Sequence, residues 1–387
     1  MAPQGHLAAI LRRLFLLAAT VCGGAHYAFA GHYYLYVGNY TGPNSKGIQA
    51  FRYDSNTRAF DSLGMVGEMP RPSFLALHPN KRFLYAVSEL GNDGRSEGFV
   101  YAFEIDSATG QLTFLNKQPS GGGGACHLVV DKTAKFLLVA NYGTGSVAAF
   151  PLQADGRIGA LQSKIQFAGS GPNAKRQRGP HAHAVVLSPD NRFLFVPDLG
   201  TDRIHILRFD ESTGILTPNA PSDAAVAPGA GPRHFTFSPN GRFAYAIDEM
   251  GSSVTAFRYD RASGALALIA AFSTLPAGFS GENNSAEIQI DSAGHFLYAS
   301  NRGDDSIAVF SIDGNNGRLA RIQILASGGR TPRNFTIDPT GDYLLVANQD
   351  SNNIVLFARS PKNGTLAATG KAVPAPSPVC LLFKSAP

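Results

Sequence analysis

An all-β fold is what this 387-residue sequence predicts: a seven-bladed β-propeller with four antiparallel strands per blade. Three observations predict it. A single apolar strand recurs seven times at intervals of 47 to 57 residues, a period that belongs to blades and repeat arrays. Each copy after the first is preceded, across a tight turn, by a second strand. The first copy lacks that partner, and the C-terminus carries a segment able to supply it.

The recurring strand reads YLYVGN (34–39), FLYAVS (83–88), FLLVAN (136–141), FLFVPD (193–198), FAYAID (243–248), FLYASN (296–301) and YLLVAN (343–348). Its upstream partner ends at a turn in LALHPNKR, LVVDKTAK, VVLSPDNR, FTFSPNGR, IQIDSAGH and FTIDPTGD. Downstream lie a third strand, as in SVAAFPL or SIAVFSID, and a Gly-containing turn such as SATGQL, ASGAL, NNGRL or KNGTL before a fourth. Four strands in about fifty residues make a blade rather than half a sandwich. APSPVCLLF (375–383) matches RPSFLALHP (71–79), so the last strand should complete the first blade and close the ring. Residues 31–387 are then one domain without a long helix.

Composition agrees. Glycine (42) and proline (24) are frequent and tryptophan is absent, as many short strands and tight turns require. Residues 1–30 read as a signal peptide: a cationic start with Arg12 and Arg13, the apolar LFLLAATVC, and Ala28-Phe29-Ala30 before Gly31. RRLFLL resembles the twin-arginine export pattern, with Leu11 where a polar residue is preferred. The expectation is an exported protein, periplasmic or secreted. The net charge is +5, and +3 without the leader, too weak to imply nucleic acid or an anionic membrane as partner. Cys126 and Cys380 fall two repeats apart and are expected as free buried thiols.

The hairpin geometry locates a site. Within a blade the start of the upstream strand and the end of the recurring strand lie at the same end of an antiparallel pair. If these are the inner strands, seven such ends ring one mouth of the central channel. The last residue of the recurring strand is small and polar in every blade (Asn39, Ser88, Asn141, Asp198, Asp248, Asn301, Asn348), a local backbone-bonding role. The next position is mixed: Tyr40, Glu89, Tyr142, Leu199, Glu249, Arg302 and Gln349. Cations, acids, amides and phenols at equivalent places read as the parts of one asymmetric site, although a solvated rim would tolerate the same variety. The starts of the upstream strands add Cys126-His127, His183, Arg233-His234, Glu287 and Arg333.

In GPHAHAV, His181 and His183 should project to one side of an extended segment. Such a pair can hold zinc only with a third ligand, for which His127, His234 and Glu287 lack motif spacing, so acid–base chemistry is preferred and no metal is expected. The preceding loop SGPNAKRQR carries Lys175, Arg176 and Arg178, a solvated cluster that beside the mouth would attract an anion. No GxSxG elbow, Walker loop or dinucleotide fingerprint is present, and GGGG at 121–124 reads as a flexible blade connector.

PHAHAV with SPDNRFLFVPDLGTDRI, GAGPRHFTFSPNGRFAYAIDEM, SAEIQID with FLYASNRGDDSIAVF, and TPRNFTIDPTGDYLLVANQ together resemble the seven-bladed lactonase propellers. That family includes one type of 6-phosphogluconolactonase and the fungal carboxy-muconate lactonizing enzymes. The resemblance implies a site at the channel mouth that opens or closes a lactone without metal or organic cofactor. By motif its histidine is His183 (His181 if the register slips), its arginines Arg233 and Arg302, and its glutamate Glu249. In the implied hydrolysis Glu249 or His183 takes a proton from water and Arg233 stabilises the oxyanion. Arg302 and Arg333 hold a carboxylate, phosphate or polyol. His127, His181, His234 and Glu287, with Glu89 and Gln349 of the mixed position, are further substrate-binding candidates. A small lactone is the expected partner and a monomer the expected state. Two alternatives stay open: a muconate-type cycloisomerase, and a non-catalytic binding propeller of the YVTN-repeat kind.

Overall fold

The computed structural model describes residues 31–387; the leader expected at 1–30 lies outside them. Seven four-stranded antiparallel sheets form the blades of a propeller, and every regular element among the described residues is a strand. The first blade is closed as the sequence predicts. Pro378–Ser385 is its innermost strand and pairs with His32–Asn39, followed outward by Gly47–Asp54 and Ala59–Glu68. In the fifth blade the order from the channel outward is Pro232–Phe237, Phe243–Asp248, Ser253–Tyr259 and Leu266–Ser273. The strand upstream of each recurring strand is therefore the inner one.

Two local rules repeat around the ring. At the turn between the two inner strands, a short polar side chain accepts the backbone N–H groups that follow it. Asp131 Oδ1 takes those of Lys135 and Phe136 at 2.8 Å, and Asp291 Oδ1 those of His295 and Phe296 at 2.8 and 2.9 Å. At the outer turns a glycine with positive φ lies against an aromatic ring of the preceding blade. A Cβ on Gly156 would sit 2.4 Å from Phe83, and one on Gly317 equally close to Phe243. The carbonyls of the same glycines accept the hydroxyls of Tyr85 and Tyr245 at 3.0 and 3.1 Å. A glycine packs in this way at six of the seven blade junctions, and in the first blade Arg58 stands at that turn position.

The core lies between blades rather than in the channel. One cluster joins Phe136, Leu138 and Val147 of the third blade to Leu194, Val196 and Leu207 of the fourth, all buried. Cys126 and Cys380 are buried free thiols, as expected. The GGGG connector is not loose: a Cβ on Gly123 would lie 2.5 Å from the Gly91 carbonyl oxygen, so its glycines permit close packing. The fourth blade departs from the repeat. Its inner strand is only Val186–Leu187, and PHAHAV is held by a single bridge, Ala182 to Asp198, instead of a regular ladder.

Candidate active site

The inner strands do not present side chains in simple alternation. Bulges break the register between Pro232 and His234, between Pro332 and Asn334, between Ala125 and His127, and between Ser285 and Ile288. The extra residue at each is Arg233, Arg333, Cys126, and the pair Ala286-Glu287. A bulge re-aims a side chain and lets neighbours in sequence point toward the same place. Arg233 and His234 can thus both face the channel.

At the mouth a cavity of about 300 Å³ is lined by the mixed-position residues Tyr40, Glu89, Tyr142, Glu249 and Arg302 together with Arg333, Arg176, His183 and Cys126. Glu249 is its electrostatic centre. Arg176 Nη2 donates to Oε1 at 2.7 Å, Arg302 Nη2 lies 2.8 Å from Oε2, and Arg233 Nε lies 3.1 Å from the same oxygen. Burial alone would raise the Glu249 pKa, but Arg302, Arg233 and Arg176 outweigh it and hold the carboxyl down at about 2. Arg233 is only 3% exposed, and burial with Arg333 and Arg302 beside it lowers it to about 9. It remains a cation near neutrality.

Across the cavity the Tyr40 hydroxyl lies 3.0 and 2.9 Å from the two oxygens of Glu89, and Asn92 Nδ2 donates to Glu89 Oε1 at 2.8 Å. Arg71 and Arg333 flank the Tyr40 ring at 4.5 and 5.2 Å. Burial raises the Tyr40 hydroxyl out of reach of ionisation near neutrality. His183 forms part of the wall. Burial, then Arg233, His234 and Arg333, lower its pKa well below the usual value, so the ring is neutral near neutral pH. Cys126 donates its Sγ–H to the His183 carbonyl at 3.3 Å, and burial raises the thiol, which makes it an inert wall rather than a nucleophile. No group of three His, Cys, Asp or Glu side chains among the described residues is arranged to hold a metal ion.

A neutral imidazole, an ionised carboxylate and several guanidinium groups around one opening suit the hydration of a carbonyl. The comparisons with known proteins decide the family. A model described as lactonase, seven-bladed β-propeller, matches residues 34–383. The chain belongs to that family. A 6-phosphogluconolactonase of Bacillus subtilis is 35% identical over 300 residues, 78% of this chain and 83% of the relative. One of Formosa agariphila is 38% identical over 305 residues, 78% and 85% of the two chains. The solved structure of a periplasmic gluconolactonase of Pseudomonas aeruginosa superposes with a TM-score of 0.86 at 32% identity, covering 92% of this chain and 100% of that one. The protein is a lactonase, an ester hydrolase acting on a small lactone. The cycloisomerase and binding-propeller alternatives are not favoured.

The lactonase brings the expected residues together unevenly. His183, Glu249, Arg302, Arg333 and Glu89 line the cavity. Arg233 stands behind Glu249, outside the lining, a poor position from which to touch an oxyanion. His127, His234 and Glu287 lie deeper: His127 and His234 meet edge to face at 5.3 Å, and all three are buried or nearly so beneath the cavity. Gln349 turns aside to donate to Asp350 Oδ1 at 3.2 Å. His181 stacks on Tyr142 at 4.5 Å with Nδ1 2.9 Å from the Tyr142 carbonyl, backing the wall instead of lining it. The broken inner strand of the fourth blade is why the two histidines separate.

Arg176 is the residue that repeat-based reasoning left out of the site, because it sits in a blade connector. Gln177 fixes that loop: its amide donates to the Leu199 carbonyl at 2.8 Å and to Asp202 Oδ1 at 2.7 Å, while its oxygen accepts Asn173 N–H at 3.0 Å. The cationic run in SGPNAKRQR was the available signal. Of its three cations only Arg176 reaches Glu249.

Proposed function

We propose that the lactonase opens a sugar-derived lactone, with His183 as general base and Arg176, Arg302 and Arg333 as the charge-stabilising donors. The observation that carries this is the sharing of one cavity by a neutral imidazole and three guanidinium groups. In the forward step His183 takes a proton from water as the oxygen adds to the lactone carbonyl. The resulting oxyanion is stabilised by the arginines, and collapse of the intermediate expels the ring oxygen, which takes the proton back from His183. Glu249, whose two oxygens are taken by Arg176, Arg302 and Arg233, acts instead as the anchor that fixes its arginines.

Charge favours an acidic substrate. Arg176, Arg233, Arg302 and Arg333 face the carboxylates of Glu89 and Glu249, a formal surplus of two positive charges. A lactone carrying a phosphate or carboxylate is drawn to such a mouth, and so is the acid produced. The relatives' names support a gluconolactone or its 6-phosphate. Residues 1–30 support an export segment cleaved before Gly31, and the ring closed by the C-terminal strand supports a monomer.

The test is a pH-stat comparison of the mature chain on glucono-, galactono- and 6-phosphogluconolactone, with spontaneous opening subtracted and His183→Gln as control. Acid release by wild type alone is the expected result. Equal release by wild type and variant would remove His183 as the base. N-terminal sequencing of the secreted chain should begin at Gly31.

A further inference from the structure

Arg233 is held from behind as well as by Glu249. Its Nε approaches Glu249 Oε2 without the alignment of a hydrogen bond, so the ion pair does not by itself fix the guanidinium. The other side of the group is better defined. Nη1 donates to the Ala286 carbonyl at 2.7 Å and faces His234 Nε2 at 3.2 Å, while His234 Nδ1 lies 3.2 Å from Glu287 Oε1. All three side chains are buried.

Donor and acceptor chemistry leaves this series one direction. A guanidinium has only donors, so His234 Nε2 must be an unprotonated acceptor. The neutral ring then carries its proton on Nδ1, which donates to Glu287. The remaining contacts of Glu287 agree: Ile288 N–H donates to Oε1 at 3.0 Å and Asn334 Nδ2 to Oε2. Asn334 cannot be turned round, because its Oδ1 accepts the Leu381 N–H at 2.9 Å. His127, His183 and Phe74 close the remaining sides of His234 by ring packing, and none of them is hydrogen-bonded to it.

We infer that His234 and Glu287 are positioning residues for lactone hydrolysis, holding Arg233 by Nη1 and through it Glu249. The same strand does more of this work. Asn284 and Ser285 carbonyls accept Arg302 Nε and Nη2 at 3.1 and 3.3 Å, and Ala286 accepts Arg233. Residues 284–287 of the sixth blade are thus a template for two of the three arginines around Glu249. The inference rests on the proposed site at Glu249 and adds the tautomer and the residues that impose it.

Two measurements test it. Nitrogen-15 NMR of the mature chain labelled at histidine should show His234 protonated on Nδ1 and bare on Nε2 near neutral pH. A proton on Nε2 would overturn the inference whether or not the protein turns over a lactone. Kinetically, His234→Leu removes the acceptor while keeping bulk and should lower kcat roughly tenfold, the low end of the scale found when the outer hydrogen-bond partner of a metal ligand is lost. KM should stay unchanged. His234→Gln places an amide oxygen near Arg233 and should recover most of that loss. Equal kcat in wild type and His234→Leu, or no recovery in His234→Gln, would leave the pair a channel filler. If the leucine variant does not fold, the tautomer still decides.

Discussion

Replacing Glu249 by glutamine removes the one carboxylate shared by three guanidinium groups at 2.7, 2.8 and 3.1 Å. Holding the carboxyl at about 2 instead of 4.5 corresponds to roughly 3 kcal/mol of folding free energy at neutral pH. Loss of one partner of a buried ion pair costs about 3–5 kcal/mol, so two independent routes give the same scale. The sign is set by the lowered pKa: this stability is complete above the unfolded value and is lost as pH falls toward 2. Urea unfolding of wild type and Glu249→Gln should therefore differ by about 3 kcal/mol at pH 7, and the difference should shrink toward pH 2. Adding Arg176→Gln to Glu249→Gln removes one uncompensated cation and should recover part of the loss, a positive coupling in a double-mutant cycle. Arg176 is the partner to remove because its side chain is 38% exposed and its own burial matters least. Equal stability of wild type and Glu249→Gln at pH 7 would refute the reading of Glu249 as the anchor of the site.

Other outcomes follow from the same geometry. Arg176→Ala or Arg302→Ala should lower kcat/KM on a gluconolactone by about 2.7–4 kcal/mol of barrier, the cost of one charge-stabilising donor, in initial-rate assays. His183→Gln should lower kcat about 10²–10⁴-fold, with the wild-type acid limb below the ordinary histidine range because burial lowers the His183 pKa. Asp248 is pushed up to about 7 by burial, against the hydroxyls of Ser253 and Thr255, and its Oδ1 has no partner. A carboxyl raised in the folded state favours folding fully only below its unfolded pKa and loses that contribution as pH rises to 7. Asp248→Asn should accordingly raise the melting temperature at pH 8, by up to about 4 kcal/mol of stability, and change it little at pH 4.

The ring was legible because its constraints repeat. Seven copies of an apolar strand, a short polar cap at most of the inner hairpin turns and a glycine at six of the seven outer turns spell out one blade over and over, and the C-terminal APSPVCLLF could be matched to a strand missing at the front. The meeting of Arg233 with Glu249 was legible for the same reason, since antiparallel pairing fixes which strand ends coincide. Depth was not legible. Adjacent letters such as Arg233 and His234 give no sign that a bulge turns both inward, one beside the carboxylate and the other below it. Nor does the repeat announce Arg176, whose approach depends on Gln177 being bonded to Asp202 in the next blade. Connectors lie outside the period, and a reading built on the period passes over them.

A ring of near-equivalent blades must break its own symmetry to make one site, and this chain does so with little disturbance to the sheets. The strand-end residue stays small and polar in all seven blades, and in every blade but the fifth, where Asp248 bonds Ser253 and Thr255 instead, it bonds the backbone: Asn141, Asn301 and Asn348 all donate to a carbonyl of the preceding connector, at 3.1, 2.9 and 3.2 Å. The next residue has left the ladder or stands at its end, so its identity can change without cost to pairing. Glu249, Arg302, Tyr40 and Glu89 occupy that freedom. The inner-strand bulges supply the second layer, since an inserted residue adds a side chain to the channel while the second and third strands keep their register. Chemistry is therefore concentrated where the repeat constrains the chain least, and the sixth-blade strand, with two residues in its bulge, carries the heaviest share: three carbonyls for two arginines, and Glu287 for the histidine behind them.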